Sequence, residues 1–350
     1  MVLVGLLSGC AGLANAAEPR SPGQAGDDFL KWKFGMFLHF NVATYNAREY
    51  ANGYEDPATF APDKLDCNQW ADAAAAAGMR YAVLTVKHTG GWCLWDSRQT
   101  SHDATAFTNY KKGKGDIVRE FVDAFRKRGL KVGLYYCLPG DYSGNTLPPG
   151  KPDLHGLPPE AQGDYVGFIK QQLTELLTGY GPIDLIWFDQ YRNRYTATAW
   201  REFRQQVKSL QPACLVIANN CLNDSDTDIH SYEYPWLKSA HPERALPPEG
   251  NEHPAEVCDK LGPGWFWSTR ENQTNVQSAE QVVKMLKLCN RRRANYLLNV
   301  EPNKSGLIPD YSVERLRQVG ELLAAAPSRP TDASKTSDKQ SNQPAIGEGK

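Results

Sequence analysis

The chain has 350 residues, and 39 Lys and Arg stand against 40 Asp and Glu for a formal net charge of −1. That balance excludes a bulk field for nucleic acid or for an anionic membrane, so partners have to be recognised locally. Hydrophobic residues at 41% and charged residues at 23% are globular values, neither disordered nor fibrous.

Met1 to Leu7 is nearly all apolar and leads into Leu7-Ser8-Gly9-Cys10. This tetrapeptide resembles the lipobox of bacterial lipoproteins, whose cysteine is acylated and becomes the mature N-terminus. A competing cut after Ala14-Asn15-Ala16 fits an ordinary signal peptidase. Residues 1–16 are therefore expected to be an export segment with Cys10 as the lipidation site. The destination is the periplasm or cell envelope, or alternatively the medium. No later run approaches the roughly 18 uninterrupted apolar residues of a membrane span.

Eight short runs rich in apolar, aromatic or β-branched residues follow as strand candidates. They are Lys33–Phe40, Tyr81–His88, Lys131–Leu138, Asp184–Asp189, Cys214–Asn220, Asp228–Tyr234, Gly264–Arg270 and Ala294–Val300. Helical periodicity fills most intervals, at Asn68–Ala77, Asp116–Arg128, Tyr165–Leu177, Thr198–Leu210, Ser278–Arg292 and Ser312–Leu323. Alternation of this kind predicts a parallel sheet, and eight repeats predict a closed (β/α)8 TIM-like barrel over residues 27–325. An open doubly wound sheet is the second choice, because Phe40-Asn41-Val42-Ala43 lacks the Gly-rich turn that a dinucleotide site needs. The intervals before strands six and seven are irregular and Pro-rich, so helices there should be short or missing. Residues 326–350 carry almost no large apolar side chain and read as a disordered tail. Eight cysteines, an odd seven once Cys10 is acylated, without CxxC spacing argue against a zinc site and a full disulfide framework and leave one or two bridges open after export.

Barrel active sites gather at the C-terminal ends of the strands. Standing there are His39, Lys87-His88, Tyr135-Tyr136, Trp187-Phe188-Asp189, Asn219-Asn220, Tyr232-Glu233, Trp267 and Arg270, and Asn299 with Glu301. Asp189 emerges from the buried run Ile183–Phe188, where an unpaired charge costs several kcal/mol, so its retention points to chemistry. Glu233 is the matching carboxylate, framed by Tyr232 and Tyr234, an aromatic setting that raises a carboxyl pKa as a general acid requires. Glu249, Glu252, Glu256 and Glu271 are its rivals. Two carboxylates in unlike environments suggest glycoside hydrolysis. His39 and His88 can bond sugar hydroxyls, and Trp92, Trp95, Trp187 and Trp267 can stack on a pyranose. The absence of an HxH at the first strand end and of HExxH argues against a catalytic metal. The absence of GxSxG and Walker A sequences removes support for acyl and phosphoryl transfer by those devices.

At these residues the chain resembles the α-L-fucosidases of glycoside hydrolase family 29, from about Trp32 to Leu323. The likeness is carried in order by Lys33-Phe34-Gly35-Met36-Phe37-Leu38-His39-Phe40, Arg48-Glu49-Tyr50 with Glu55-Asp56-Pro57, and Tyr81 to His88. It continues through Cys93-Leu94-Trp95-Asp96-Ser97, Gly115-Asp116-Ile117-Val118, and Leu176 to Ile183-Asp184 with Trp187-Phe188-Asp189. Pro254-Ala255-Glu256-Val257, Pro263-Gly264-Trp265-Phe266 and Leu297-Leu298-Asn299-Val300 complete it. The resemblance implies a retaining exo-glycosidase without a cofactor, acting on a fucosylated oligosaccharide or glycoconjugate. It implies Asp189 as nucleophile, Glu233 as acid/base, and His39, Glu49, His88, Tyr136 and Trp187 as fucose-binding residues.

Three positions depart from the family pattern. Thr89 stands where a second His is common, Gln190 follows the nucleophile in place of Gly, and Glu301 replaces a small residue. A barrel that binds fucosylated glycan without cleaving it is therefore the second expectation, and a metal-dependent barrel hydrolase the third. The β-sandwich often found in relatives has no room after Leu323, so a catalytic barrel alone is expected.

Overall fold

The computed structural model describes residues 22–46, 49–51, 53–138, 164–189 and 196–325. The expectations for residues 1–16 with Cys10, for Gln190 and for the tail 326–350 lie outside these residues.

Eight strands form one sheet in the order β5-β4-β3-β2-β1-β8-β7-β6. They are β1 Phe34–Leu38, β2 Tyr81–Lys87, β3 Lys131–Cys137, β4 Leu185–Asp189, β5 Leu215–Ala218, β6 His230–Glu233, β7 Ala255–Lys260 and β8 Ala294–Asn299. Every ladder between neighbours is parallel. The two edges meet through a single parallel bridge from Ile217 to Ile229, and Val216 N donates to the Asp228 carboxylate beside it. The sheet is thus the expected barrel, closed weakly between β5 and β6.

Covalent alternation sorts the strand residues into two layers. Phe37, Val83, Tyr135, Leu185, Trp187, Leu215, Ile217 and Leu297 fill the barrel interior. Met36, Leu38, Leu84, Val132, Leu134, Ile186, Phe188 and Leu298 face the helices.

The helices are α1 Pro22–Leu30, α2 Cys67–Ala76, α3 Ile117–Lys127, α4 Tyr165–Gly179, α5 Ala197–Leu210, α6 Tyr234–Ala240, α7 Ala279–Arg291 and α8 Asp310–Ala324. Their starts follow from side-chain caps: Asp116 accepts from Arg119 N, Thr196 from Ala199 N, and Ser278 forms a capping box with Gln281. No helix separates β5 from β6, and only the seven-residue α6 and a 3-10 turn at Pro242–Arg244 precede β7, as the Pro-rich intervals suggest. The pattern of the sequence gives no sign of α1. It closes the N-terminal end of the barrel, with Phe29 in the interior cluster and its carbonyl accepting from Asn295 Nδ2.

The seventh strand is a correction. It is Ala255–Lys260, and Gly264–Arg270 is a loop. Glu256, Asp259 and Lys260 interrupt the apolar run that announces a buried strand, but the fold absorbs each charge. Glu256 points inward and accepts from Tyr81 Oη and Trp187 Nε1, while Asp259 points outward and accepts from Tyr296 Oη. The aromatic residues of 264–270 cover the barrel mouth instead.

Candidate active site

Alternation along β4 sends Leu185 and Trp187 into the interior and leaves Asp189 as the next inward residue, at the mouth. From Ile229, just before β6, it sends Ile229, Ser231 and Glu233 inward. Both carboxylates line a cavity of about 410 Å³ at the C-terminal end of the barrel, together with His39, Glu49, His88, Tyr135 and Trp187.

One amide joins the two acids. Asn219 Nδ2, just past β5, lies 3.0 Å from Asp189 Oδ1 and 2.8 Å from Glu233 Oε2. Those two oxygens are no farther apart than the two contacts laid end to end. An upper bound of this size on that oxygen pair suits the about 5–5.5 Å of a retaining pair better than the roughly 6.5–9.5 Å of an inverting one. Tyr135 Oη donates to the other Asp189 oxygen at 2.8 Å. Asn220 Nδ2 also donates to Glu233 Oε2, and Asn220 Oδ1 accepts from Glu233 N. Asn220 holds this pose at φ 53, a left-handed conformation that asparagine tolerates better than most residues.

Burial, and then the charge of Asp189, push the Glu233 carboxyl up to about 7. Both amides reach Oε2, so a proton on Glu233 belongs on Oε1. Such a group can give a proton near neutral pH and take one back.

The histidines are neutral donors and acceptors. Burial carries His88 down to about 3 and, with His88 nearby, holds His39 well below its ordinary value. Asn299 Nδ2 donates to Trp265 O and Glu301 Oε1, which fixes its Oδ1 toward His39 Nδ1 at 2.7 Å. His39 therefore carries its proton on Nδ1 and keeps Nε2 as an acceptor. The Trp187 indole N–H goes to Glu256, so Trp187 offers the cavity a ring and no donor. Glu49 Oε1 accepts from Trp265 N and pins the 264–270 loop to the rim.

A family model described as alpha-L-fucosidase matches residues 43–326. The chain belongs to the α-L-fucosidase family. A rice (Oryza sativa) protein provisionally named α-L-fucosidase 1 is 32% identical over 84% of this chain and 57% of its own length. Arabidopsis thaliana α-L-fucosidase 1 is 29% identical over 84% and 59%. This chain thus spans less than three-fifths of these two plant relatives. Among solved structures, α-L-fucosidase isoenzyme 1 of Paenibacillus thiaminolyticus superposes with a TM-score of 0.70 at 31% identity, covering 86% of this chain and 76% of that one.

Within this family member the geometry brings together Asp189, Glu233, His39, Glu49, His88 and Trp187, and it leaves out Tyr136. That is a correction: Tyr136 belongs to the helix-facing layer, and its hydroxyl donates to Gln172 on α4. Its neighbour Tyr135 has the inward parity and takes the place expected of Tyr136. Thr89 Oγ1 lies 3.1 Å from His88 Nδ1 and supports that ring.

Sequence reasoning missed the bridging role of Asn219, although both asparagines stand at a strand end. It also missed Trp236 and Arg244, which line the cavity from the β6–β7 segment. Glu301 is buried behind Asn299, and burial with the charge of Glu271 drives its carboxyl well above the usual range. Glu271 is itself raised to about 7 by burial. A protonated acid at this position keeps the Asn299–His39 contact free of an extra buried charge.

Proposed function

We propose that the chain is a retaining exo-α-L-fucosidase that hydrolyses terminal fucosides of glycans by double displacement, without a cofactor. The observation that carries this reading is the single Asn219 amide shared by Asp189 and Glu233. It supports a carboxylate separation suited to attack by one acid and protonation by the other.

An Asp189 oxygen attacks the anomeric carbon as Glu233 Oε1 passes its proton to the departing glycosidic oxygen. Ester formation consumes the Asp189 charge, which removes one of the influences holding the Glu233 pKa up. Glu233 is then a stronger acid and remains ionised as a base. It takes a proton from water, the hydroxide oxygen bonds to the anomeric carbon, and the Asp189 carboxylate leaves. His39 and His88, both neutral, suit hydroxyl recognition, and Trp187 supplies an apolar wall.

The test is hydrolysis of an aryl α-L-fucoside and of α-1,2, α-1,3/4 and α-1,6 fucosylated oligosaccharides, with Asp189→Asn as control. Release of fucose by the wild type alone supports the reaction and the nucleophile together. Fucose binding without cleavage of any linkage would instead favour a binding barrel. We read Cys10 as a lipid attachment site on the motif alone; labelled palmitate incorporated by the wild type and not by Cys10→Ala would support it.

A further inference from the structure

Three side chains that ligate metals, and that the fucosidase reading leaves unused, meet at the N-terminal end of the barrel. Asp224 lies in the helix-less β5–β6 connection, His230 opens β6, and His253 stands just before β7. His230 Nε2 is 2.6 Å from Asp224 Oδ1, His253 Nδ1 is 3.5 Å from Asp224 Oδ2, and one donor atom from each residue falls within 4.8 Å of the other two. The two imidazoles stack with centroids 4.6 Å apart.

These distances bracket a coordination shell. Two ligands on a tetrahedral ion with bonds of about 2.1 Å are about 3.4 Å apart. The His253 contact already has that spacing, and the His230 contact needs Asp224 to swing outward by under an ångström. That movement is open to it, since the Asp224 side chain is 69% exposed, whereas His230 at 9% is a fixed anchor. Among the described residues no Lys or Arg pairs with Asp224, so no resident cation competes for its oxygens. Exposure of Asp224 and His253 leaves solvent free to provide a fourth ligand.

Two imidazoles and one carboxylate select the class of ion. Ca²⁺ and Mg²⁺ favour shells built mainly of oxygen, while Zn²⁺ and its first-row neighbours take mixed nitrogen and oxygen donors. The location gives the ion a mechanical consequence. The ligands come from the β5–β6 connection, from β6 and from the segment before β7, and so tie down the β6 edge, which meets β5 through one bridge in place of a ladder. An ion that binds only the native arrangement adds its binding energy to folding.

We propose that Asp224, His230 and His253 bind one divalent transition ion of the Zn²⁺ class, which clasps the barrel at its weakest seam. The site is structural. His230 and Glu233 occupy opposite ends of β6, about 10 Å apart along the strand, so the clasp lies outside the reacting centre.

The experiment uses the full chain, stripped with a chelator and titrated calorimetrically with Zn²⁺, alongside thermal unfolding with and without the ion. The wild type should take up one Zn²⁺ per chain and melt at a higher temperature with it. His253→Ala and Asp224→Asn, both exposed changes, should weaken binding by at least about tenfold, the lower bound for disturbing a ligand's support. They should also lose the rise in melting temperature. Mg²⁺ at the same concentration should do neither. Absence of stoichiometric Zn²⁺ uptake, full affinity in His253→Ala, or an equal response to Mg²⁺ would each overturn the proposal. The readouts are binding and melting, so they stand apart from the fucosidase reading.

Discussion

The arc from β1 to β5 and the arc from β6 to β8 fill the same barrel with different chemistry. The first lines the interior with Phe37, Tyr81, Val83, Tyr135, Trp187, Leu215 and Ile217, and its inward carboxylate is Asp189, at the very mouth. The second turns Glu233, Glu256, Asn295 and Asn299 inward, with Glu301 just beyond β8. Rings from the first arc serve the second: Tyr81 and Trp187 both donate to Glu256. The stiff aromatic arc sets positions, and the polar arc holds acids whose protonation is poised by burial. In the proposed double displacement the nucleophile Asp189 and the acid Glu233 thereby stand on separate walls, with Asn219 between them.

The largest effects should come from separating those two walls. Asp189→Asn should abolish turnover of every fucoside. Glu233→Gln should lower turnover of oligosaccharides by on the order of 10²- to 10⁴-fold, the usual range for a lost general acid. The same variant should still consume fucosyl fluoride, whose leaving group needs no proton, and azide should accelerate release of the trapped sugar. In the wild type the oligosaccharide rate should fall as pH rises through about 7, where Glu233 loses its proton. Wild-type oligosaccharide turnover by Glu233→Gln would transfer the acid role to another glutamate.

The two arcs also differ in how much of them is legible from the amino-acid order. In β4 a run of apolar residues ends on a single carboxylate, so Asp189 stands out. In β3 both faces are covered, Val132 to Cys137 is continuously buried, and nothing in the order of residues tells inward from outward. That is why Tyr136 reads as well as Tyr135 until the register is known. β7 fails for the opposite reason: its charges conceal a strand because their partners, Tyr81, Trp187, Tyr296 and Gln277, lie far away in sequence. Asn219 is recognisable as a strand-end polar group, but its bridging role depends on the weak closure that brings β6 beside β5.

Stability offers a smaller contrast between the arcs. Burial lifts Glu256 from 4.5 to about 7, so folding favours its protonated form. Its contribution is complete below about pH 4.5 and is lost as pH rises through about 7. At about 1.4 kcal/mol for each tenfold gain in proton affinity on folding, this amounts to on the order of 3 kcal/mol. Glu256→Gln preserves the shape, keeps an acceptor for Trp187 Nε1, and lets Tyr81 Oη turn acceptor for the new amide. Denaturant unfolding between pH 4.5 and 7.5 should therefore show a shallower loss of stability in the variant than in the wild type. Parallel slopes would mean that Glu256 is already ionised in the folded chain.

The smallest effect is expected at the outer edge of the polar arc, on α6. Trp236 follows Glu233, the proposed acid, by three residues, lines the same cavity and is 47% exposed. A sugar joined to fucose would meet this ring with its C–H face, and such aromatic contacts contribute about 0.5–1.5 kcal/mol beyond the area they bury. Trp236→Ala should raise KM for fucosylated oligosaccharides by about two- to tenfold with kcat little changed, and should leave fucosyl fluoride untouched because that substrate has no second sugar. An equal change on both substrates would mean that the indole props α6, and with it Glu233, and does not receive the leaving group. The split between the two substrates therefore separates recognition from support within a single short helix.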